Sequence, residues 1–179
     1  MLHYPRIVIS EDRFSWIYPL SNELEPKATL YPWGQHQQDI KDSWAARLKA
    51  KELQINGDGV SLESMCLPLM KQYPRIQCFF TYYIDAYLMT GRLNEAKELV
   101  QKRKQWMIKH PYKIMSIEAI ELGARDSLLK SVNGYVYKQS MSDWISSMRT
   151  LQFYEIDIQN KIDTGFVFKG RRKEKNSRR

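Results

Sequence analysis

The segment spanning residues 75–110 constrains the fold of this chain most, because its pattern predicts two amphipathic helices joined by a tight turn. Apolar and aromatic residues recur there every three or four positions, which places them on one face of a helix. They are Ile76, Phe79, Phe80, Tyr83, Ile84, Tyr87 and Leu88. Thr90 and Gly91 interrupt the pattern, and glycine readily takes the left-handed conformation that ends many helices. On the second helix, from Leu93 to about Ile108, the inner side carries Ala96, Leu99, Val100, Arg103 and Trp106.

Helical patterns also lie on both sides of this predicted hairpin. Residues 35–53 indicate one helix, with an apolar stripe of Ile40, Trp44 and Leu48, and Ser61 is placed to cap the next. After the hairpin, a helix is predicted over residues 116–132, and a last one begins after a cap at Ser140 or Ser142. Residues 156–168 fit either a short strand or a docked tail.

Residues 1–33 differ from the rest because the four prolines at positions 5, 19, 26 and 32 oppose long regular elements. The runs at residues 6–10 and 13–18 have a β-like pattern, so we expect an extended arm or a small β-hairpin docked on the helical body. The predicted fold is therefore mostly α, with five or six helices in a helical-hairpin array. Its predicted divisions are the arm at 1–33, a helical domain at 34–168, and a disordered basic tail at 169–179.

The chain carries a net charge of +8, and the placement of that charge is informative. Residues 171–179 contain six basic residues and the single acid Glu174, so this segment carries +5 and the rest of the chain only +3. Basic tails of this kind often contact nucleic acid or another polyanion. The alternative is a terminus that keeps the protein soluble and has no specific partner.

The second hairpin helix offers a further basic surface near the side opposite Ala96 and Val100. A row of lysines beside a tryptophan can bind phosphates next to an aromatic platform, although a solvated face would have the same composition. The predicted nucleic-acid-binding residues of this helix and the tail are Lys97, Gln101, Lys102, Lys104, Trp106, Lys109, Arg171, Arg172, Lys173, Lys175, Arg178 and Arg179.

No residue pattern in the sequence indicates catalysis, a metal or a cofactor. His3, His36 and His110 are isolated, and a lone histidine is most often a surface or helix-end residue. Cys66 and Cys78 form no zinc-binding pattern and no disulfide framework, which favours a reduced compartment. The acids at positions 39, 42, 157 and 163 are interpreted as solvated, with Mg²⁺-dependent nuclease chemistry as the alternative. We therefore predict no catalytic residue, no metal site and no cofactor.

The run from Tyr83 to Leu99 resembles tetratricopeptide and pentatricopeptide repeats. Those families share a tyrosine near the end of the first helix, a glycine at the turn and an alanine five residues later, which here are Tyr87, Gly91 and Ala96. The match covers about one repeat, whereas a solenoid needs roughly three. The resemblance therefore implies a single repeat-like hairpin within a helical domain.

The same segment is similar to the central part of small terminase subunits of temperate tailed phages. Those proteins have a Thr-Gly turn followed by an alanine-containing helix that ends at a proline, and a basic C-terminal tail is usual. The corresponding residues here are Thr90, Gly91, Ala96 and Pro111. This resemblance implies a role in DNA packaging.

Together, these observations predict a non-enzymatic helical binding protein that engages nucleic acid or a nucleoprotein assembly through the basic helix and the basic tail. One alternative is a protein–protein adaptor whose hairpin groove, with Tyr82, Tyr83 and Tyr87, accepts a partner helix. Another is a subunit of a phage packaging enzyme. The sequence has no secretory signal and no apolar run long enough to span a membrane, so we expect no membrane association and a cytoplasmic location. A host-cell cytoplasm would be the site for a viral protein, and the basic tail is also compatible with a nuclear location.

Overall fold

The computed structural model describes residues 14–115 and 141–165, and these residues are mostly helical. Seven helices occur in the described ranges, with two short strands and one 3-10 turn, Glu25–Lys27. The helices are α1 (Ile17–Leu24), α2 (Trp33–Asp42), α3 (Trp44–Asn56), α4 (Gly59–Gln72), α5 (Cys78–Met89), α6 (Leu93–Lys109) and α7 (Ser142–Thr164). The strands are β1 (Thr29–Pro32) and β2 (Tyr112–Met115). The predicted mostly α class is confirmed, and the described ranges alone contain seven helices where five or six were expected for the chain.

The central hairpin consists of α5 and α6, as its apolar spacing predicts. Gly91 ends the turn at a φ of 75°, in the left-handed region, and the amide of Arg92 donates a 2.9 Å hydrogen bond to the carbonyl of Tyr87. This geometry is typical of a glycine helix terminus. On the inner side of α6, Ala96 and Val100 are fully buried. The first helix begins at Cys78, because residues 73–77 form the turn that enters the hairpin.

Two apolar cores lie on the two sides of this hairpin. The first joins α6 to α7 and α1, and its fully buried members include Met107, Trp144 and Ile17. The second joins α5 to α3 and α4 around Phe79 and Leu62. The hairpin therefore holds the two halves of the described structure together.

The single helix predicted over residues 35–53 is in fact two helices that meet at Ser43. This serine is fully buried, and its hydroxyl donates a 3.2 Å hydrogen bond to the carbonyl of Ile40. Serine competes in this way with the helical hydrogen-bond pattern, and α3 begins with the next residue. Of the expected apolar stripe, Ile40 packs against the core, whereas Trp44 and Leu48 are each 54% exposed and Ala50 is the buried residue of α3.

The predicted β-like run at residues 13–18 ends inside a helix. Residues 17–24 form α1, and Pro19 is tolerated because it lies in the first turn, where its missing N–H has no helical partner. The strand β1 pairs in parallel with β2, with Thr29 opposite Tyr112. A parallel partner distant in sequence leaves no local turn signal.

Two further expectations near helix ends are corrected. Residues 156–164 belong to α7, which ends at Gly165 with a φ of 63°, so they form neither a strand nor a docked tail. Asp58, rather than Ser61, caps α4, because its carboxylate accepts a 3.1 Å hydrogen bond from the Ser61 amide. The last helix begins at Ser142, and Met141 occupies its cap position. The predictions for residues 6–10, 116–132 and 169–179 concern residues outside the described ranges. None of the described helices is both long and apolar enough to cross a bilayer.

Candidate functional site

Two of the lysines predicted to bind nucleic acid are used in the contact between α6 and α7. Lys97 donates a 2.8 Å hydrogen bond to Gln159. Lys104 lies 2.7 Å from the carboxylate of Glu155 and 4.7 Å above the ring of Trp16, and its side chain is only 17% exposed. Both lysines therefore stabilise the fold, because their charged groups contact α7, and Lys104 also contacts the residue before α1.

The other predicted residues of this helix remain closer to solvent. Gln101, Lys102 and Lys109 are exposed, although Lys102 lies 3.4 Å from Glu98. Trp106 is half-buried and stacks on the ring of His110 at 4.7 Å. The exposed basic surface of α6 is therefore smaller than the sequence predicts. The basic residues of segment 171–179 lie beyond the described ranges.

A polar cavity that the sequence did not indicate lies where α2, α3 and the start of α7 meet the start of α5. Its volume is about 170 Å³. Six polar or ionisable residues from these helices and from the turn before α5 line it, namely His36, Arg47, Arg75, Gln77, Cys78 and Asp143. We call this space the polar cavity.

Three buried nitrogen atoms of these residues lack a hydrogen-bond partner within residues 14–115 and 141–165. They are Nδ1 of His36, Nε of Arg75 and Nε2 of Gln77. The side chain of His36 is almost fully enclosed, since the residue is only 9% exposed. Most buried polar groups in proteins are hydrogen-bonded, so three in one cavity indicate space for a partner. The arginine and amide nitrogens are donors, and the histidine nitrogen donates in one tautomer, so the partner should offer acceptor oxygens.

Positive charge exceeds negative charge around the polar cavity. Arg47 and Arg75 line it, and Asp143 is the one carboxylate among its lining residues within the described ranges. The Asp143 carboxylate accepts a 2.9 Å hydrogen bond from the hydroxyl of Tyr112. The guanidinium of Arg75 lies 4.5 Å from the ring centre of Tyr31, which holds it at the cavity wall. An anion would therefore find two guanidinium groups in a partly desolvated space.

A third arginine lies directly behind the polar cavity. Arg103 on α6 is 3% exposed and donates hydrogen bonds to the carbonyl of Pro74 at 2.6 Å and to Oε1 of Gln77 at 3.2 Å. Its guanidinium packs 3.6 Å from the ring centre of Phe80. Burial lowers the pKa of Arg103 to about 9, which leaves it charged at neutral pH. Because Oε1 of Gln77 faces Arg103, the amide nitrogen of Gln77 is directed to the cavity.

The start of α5 adds a favourable dipole for an anion. Gln77 occupies the cap position without a side-chain cap, and Cys78 is the first helical residue. The first amides of a helix have no helical acceptor, and they carry a partial positive charge.

Burial lowers the pKa of His36, while Asp143 opposes that shift, so this histidine is mainly neutral at pH 7.

The presence of cysteine, histidine and aspartate in one cavity raises the question of nucleophilic catalysis. Such catalysis needs a base within hydrogen-bond reach of the thiol. No hydrogen bond joins Cys78 to His36, both of which are described. Burial raises the pKa of the Cys78 thiol, and the neighbouring Arg47 only partly offsets this effect. The arrangement is suited to holding an anion, and its thiol is mostly protonated at neutral pH.

Other residues proposed from the sequence are placed in structural roles. Tyr83 is buried at 7% exposure and its hydroxyl lies 3.1 Å from that of Tyr87, so the tyrosine groove proposed for a partner helix is partly filled. Asp157 pairs with Lys161, and Asp163 accepts a hydrogen bond from Gln159. Among the described residues, no group of three or more histidine, cysteine or acidic side chains is placed to hold a metal ion.

The sequence contained no local signal for the polar cavity. Its residues stand at positions 36, 47, 75–78 and 143, and tertiary packing alone brings them together. His36 was expected at the surface, and its burial is the largest departure from that expectation. The chain matches no protein-family model, no curated protein and no solved structure. The two family resemblances noted in the sequence therefore remain predictions.

Proposed function

We propose that this chain is a non-enzymatic helical binding protein that engages nucleic acid, alone or in a nucleoprotein assembly, through its phosphate groups. The observation that carries this proposal is the polar cavity, where Arg47 and Arg75 lie beside three buried nitrogens that have no described partner. Phosphate oxygens are strong acceptors, and arginine is the side chain best suited to bind them.

The basic surfaces of the chain support the same proposal. The exposed Lys102 and Lys109 lie on α6, the helix that also supplies Arg103 behind the polar cavity. Residues 171–179 add a net charge of +5. Clustered cations of this kind attract a polyanion without sequence preference, and the cavity would fix one phosphate group in a defined place.

Binding to fluorescent single-stranded and duplex DNA and RNA at several salt concentrations tests this proposal. We expect salt-dependent binding that weakens at least several-fold in Arg47→Gln. The matched control is Lys51→Gln, which removes one charge from an exposed residue of the same helix and should have a smaller effect. Equal losses in the two variants would contradict a role for the cavity. Absence of salt-dependent binding in the unaltered chain would overturn the proposal.

A protein–protein adaptor is the second candidate, and a different surface favours it. Large apolar side chains are exposed on α3 and α4, namely Trp44, Leu48, Ile55, Val60 and Leu67. A contiguous exposed apolar patch is typical of interaction surfaces, and α3 and α4 are neighbouring helices. Association with a protein partner that is insensitive to salt and lost in Trp44→Ser with Leu48→Ser would favour this candidate.

A further inference from the structure

We propose that the polar cavity selects a terminal phosphomonoester, the group at the 5′ end of a phosphorylated strand, over the phosphodiesters inside a strand. This inference rests on the proposed function and adds a ligand preference to it. It follows from the size of the cavity, from the number of its unpartnered donors and from its charge.

The cavity is large enough to take the phosphate end of a ligand. Its volume is about 170 Å³, and it is open to solvent on one side, where the rest of the ligand would lie. An internal phosphodiester has a sugar on both sides, so it cannot enter as far as a terminal group that is attached on one side only.

The donors of the cavity match a group with three free oxygens. His36, Arg75 and Gln77 each present one buried nitrogen without a described partner, and Arg47 adds a guanidinium. A phosphomonoester offers three unesterified oxygens and carries a charge of about −1.5 to −2 near pH 7. A phosphodiester offers two such oxygens and a single negative charge. The terminal group therefore satisfies one more donor and gains more from the arginines.

Asp143 is the residue that opposes an anion here, and it supplies a test with an expected gain. Asp143→Asn removes its negative charge from the cavity, and the side-chain oxygen of asparagine can still accept the hydrogen bond from Tyr112. We expect this variant to bind a terminal phosphate more tightly than the unaltered chain.

Gln77→Glu supplies the opposite test, because it should lose binding of a terminal phosphate while the protein stays folded. One glutamate oxygen can still accept from Arg103, which has no carboxylate partner within the described ranges, so the variant should melt at the same temperature or higher. The other oxygen replaces the donor nitrogen and places a negative charge in the cavity. Gln105→Glu, on an exposed position of α6, is the matched control for net charge.

The experiment compares two oligonucleotides of one sequence, labelled at the 3′ end, with either a 5′ phosphate or a 5′ hydroxyl. We expect the unaltered chain and Gln105→Glu to prefer the phosphorylated strand by roughly tenfold, the scale of one charge-assisted hydrogen bond. The preference should disappear in Gln77→Glu and increase in Asp143→Asn. Salt-dependent binding of both strands without preference would overturn this inference and leave the proposed function intact, whereas failure of both strands to bind would overturn both.

A nucleoside 5′-monophosphate and a phosphoserine peptide serve as competitors that identify the source of the phosphate. Displacement of the phosphorylated strand only at much higher competitor concentration supports a strand end as the ligand. Displacement at a concentration similar to that of the strand would assign the cavity to a free nucleotide or a phosphopeptide and overturn the assignment to a strand end.

Discussion

Arg103 shows how one buried charge can shape a neighbouring site. It has no carboxylate partner within the described ranges, and its guanidinium is held by the carbonyl of Pro74, by Gln77 and by the rings of Phe80 and Trp106. Hydrogen bonds and aromatic faces offset part of the cost of burying the charge. Since the arginine stays protonated at neutral pH, it orients Gln77 and adds positive potential behind the polar cavity.

Asp85 leads to a prediction about pH, because it is a largely enclosed carboxyl group in the C-terminal half of α5. It accepts hydrogen bonds from Gln54 and, at 2.9 Å, from Tyr154. Burial raises its pKa to about 6, although both hydrogen bonds act in the opposite direction. The folded state therefore binds this proton more tightly than the unfolded state, so the free energy of unfolding should fall as pH rises from about 4 to 6.

We expect Asp85→Asn to remove that dependence. Above pH 6 the ionised carboxylate costs the folded state roughly 2–3 kcal/mol. In the variant, the amide oxygen can accept from Tyr154 and the amide nitrogen can donate to Oε1 of Gln54 after that side-chain amide flips, so both contacts are kept without the charge. Urea unfolding at pH 4.5, 6 and 8 measures the effect, with Asp163→Asn as a control on the exposed end of α7. Parallel stability curves for the unaltered chain and Asp85→Asn would contradict this account.

At the scale of whole elements, the sequence predicts those helices whose boundaries are set by local chemistry. The turn at Gly91 and the apolar spacing on α5 and α6 are local features, and the hairpin forms as they predict. The break at Ser43 depends on a buried hydroxyl, and the pairing of β1 with β2 joins residues 83 positions apart. Such features depend on tertiary contacts, which no short window of sequence contains.

The contact between the start of α4 and the end of α5 requires a residue without a side chain at position 59. A Cβ atom there would lie 3.0 Å from the carbonyl oxygen of Ala86 and 3.0 Å from Cβ of Met89. That carbonyl also accepts hydrogen bonds from the amide and hydroxyl of Thr90, so it is not free to move.

We therefore expect Gly59→Ala to lower the free energy of unfolding by about 1–3 kcal/mol through overpacking. Gly91→Ala is the comparison, because no atom lies within 4 Å of its Cβ and only the positive φ disfavours the substitution. That change should cost about 1 kcal/mol. Thermal and urea unfolding measure both, and an unchanged stability in Gly59→Ala would show that α4 and α5 can separate without cost.

The lysines of α6 divide into two pairs with different expected effects. Lys97→Met with Lys104→Met removes contacts with α7 and should lower the free energy of unfolding by about 1–2 kcal/mol. Lys102→Met with Lys109→Met changes two exposed residues and should alter stability by less than about 0.5 kcal/mol, while weakening nucleic-acid binding. Unfolding and binding measured on both double variants check the division. Equal stability losses would contradict it.

For the whole molecule, charge is divided between a structured site and a basic segment. The polar cavity is assembled from residues of α2, α3, α5, α7 and the turn before α5, so its composition could be learned only from the packed structure. The basic segment at residues 171–179 is visible in the sequence at once. If the proposed function is correct, the segment should supply affinity for any polyanion, and the cavity should supply the preference among phosphate groups.

Deletion of residues 171–179 separates these two contributions. Each phosphate neutralised on a single strand contributes about 0.7 to the slope of log affinity against log salt concentration. Since the deletion removes six basic residues, we expect the slope to fall by several units and the affinity at low salt to fall by at least tenfold. The preference for a 5′ phosphate should remain, because Arg47, Arg75 and Gln77 are unchanged.

A chain of equal length with glutamine at the six basic positions is the control for length, and it should behave like the deletion. Loss of the 5′ phosphate preference in both forms would place phosphate recognition in the basic segment instead of the cavity.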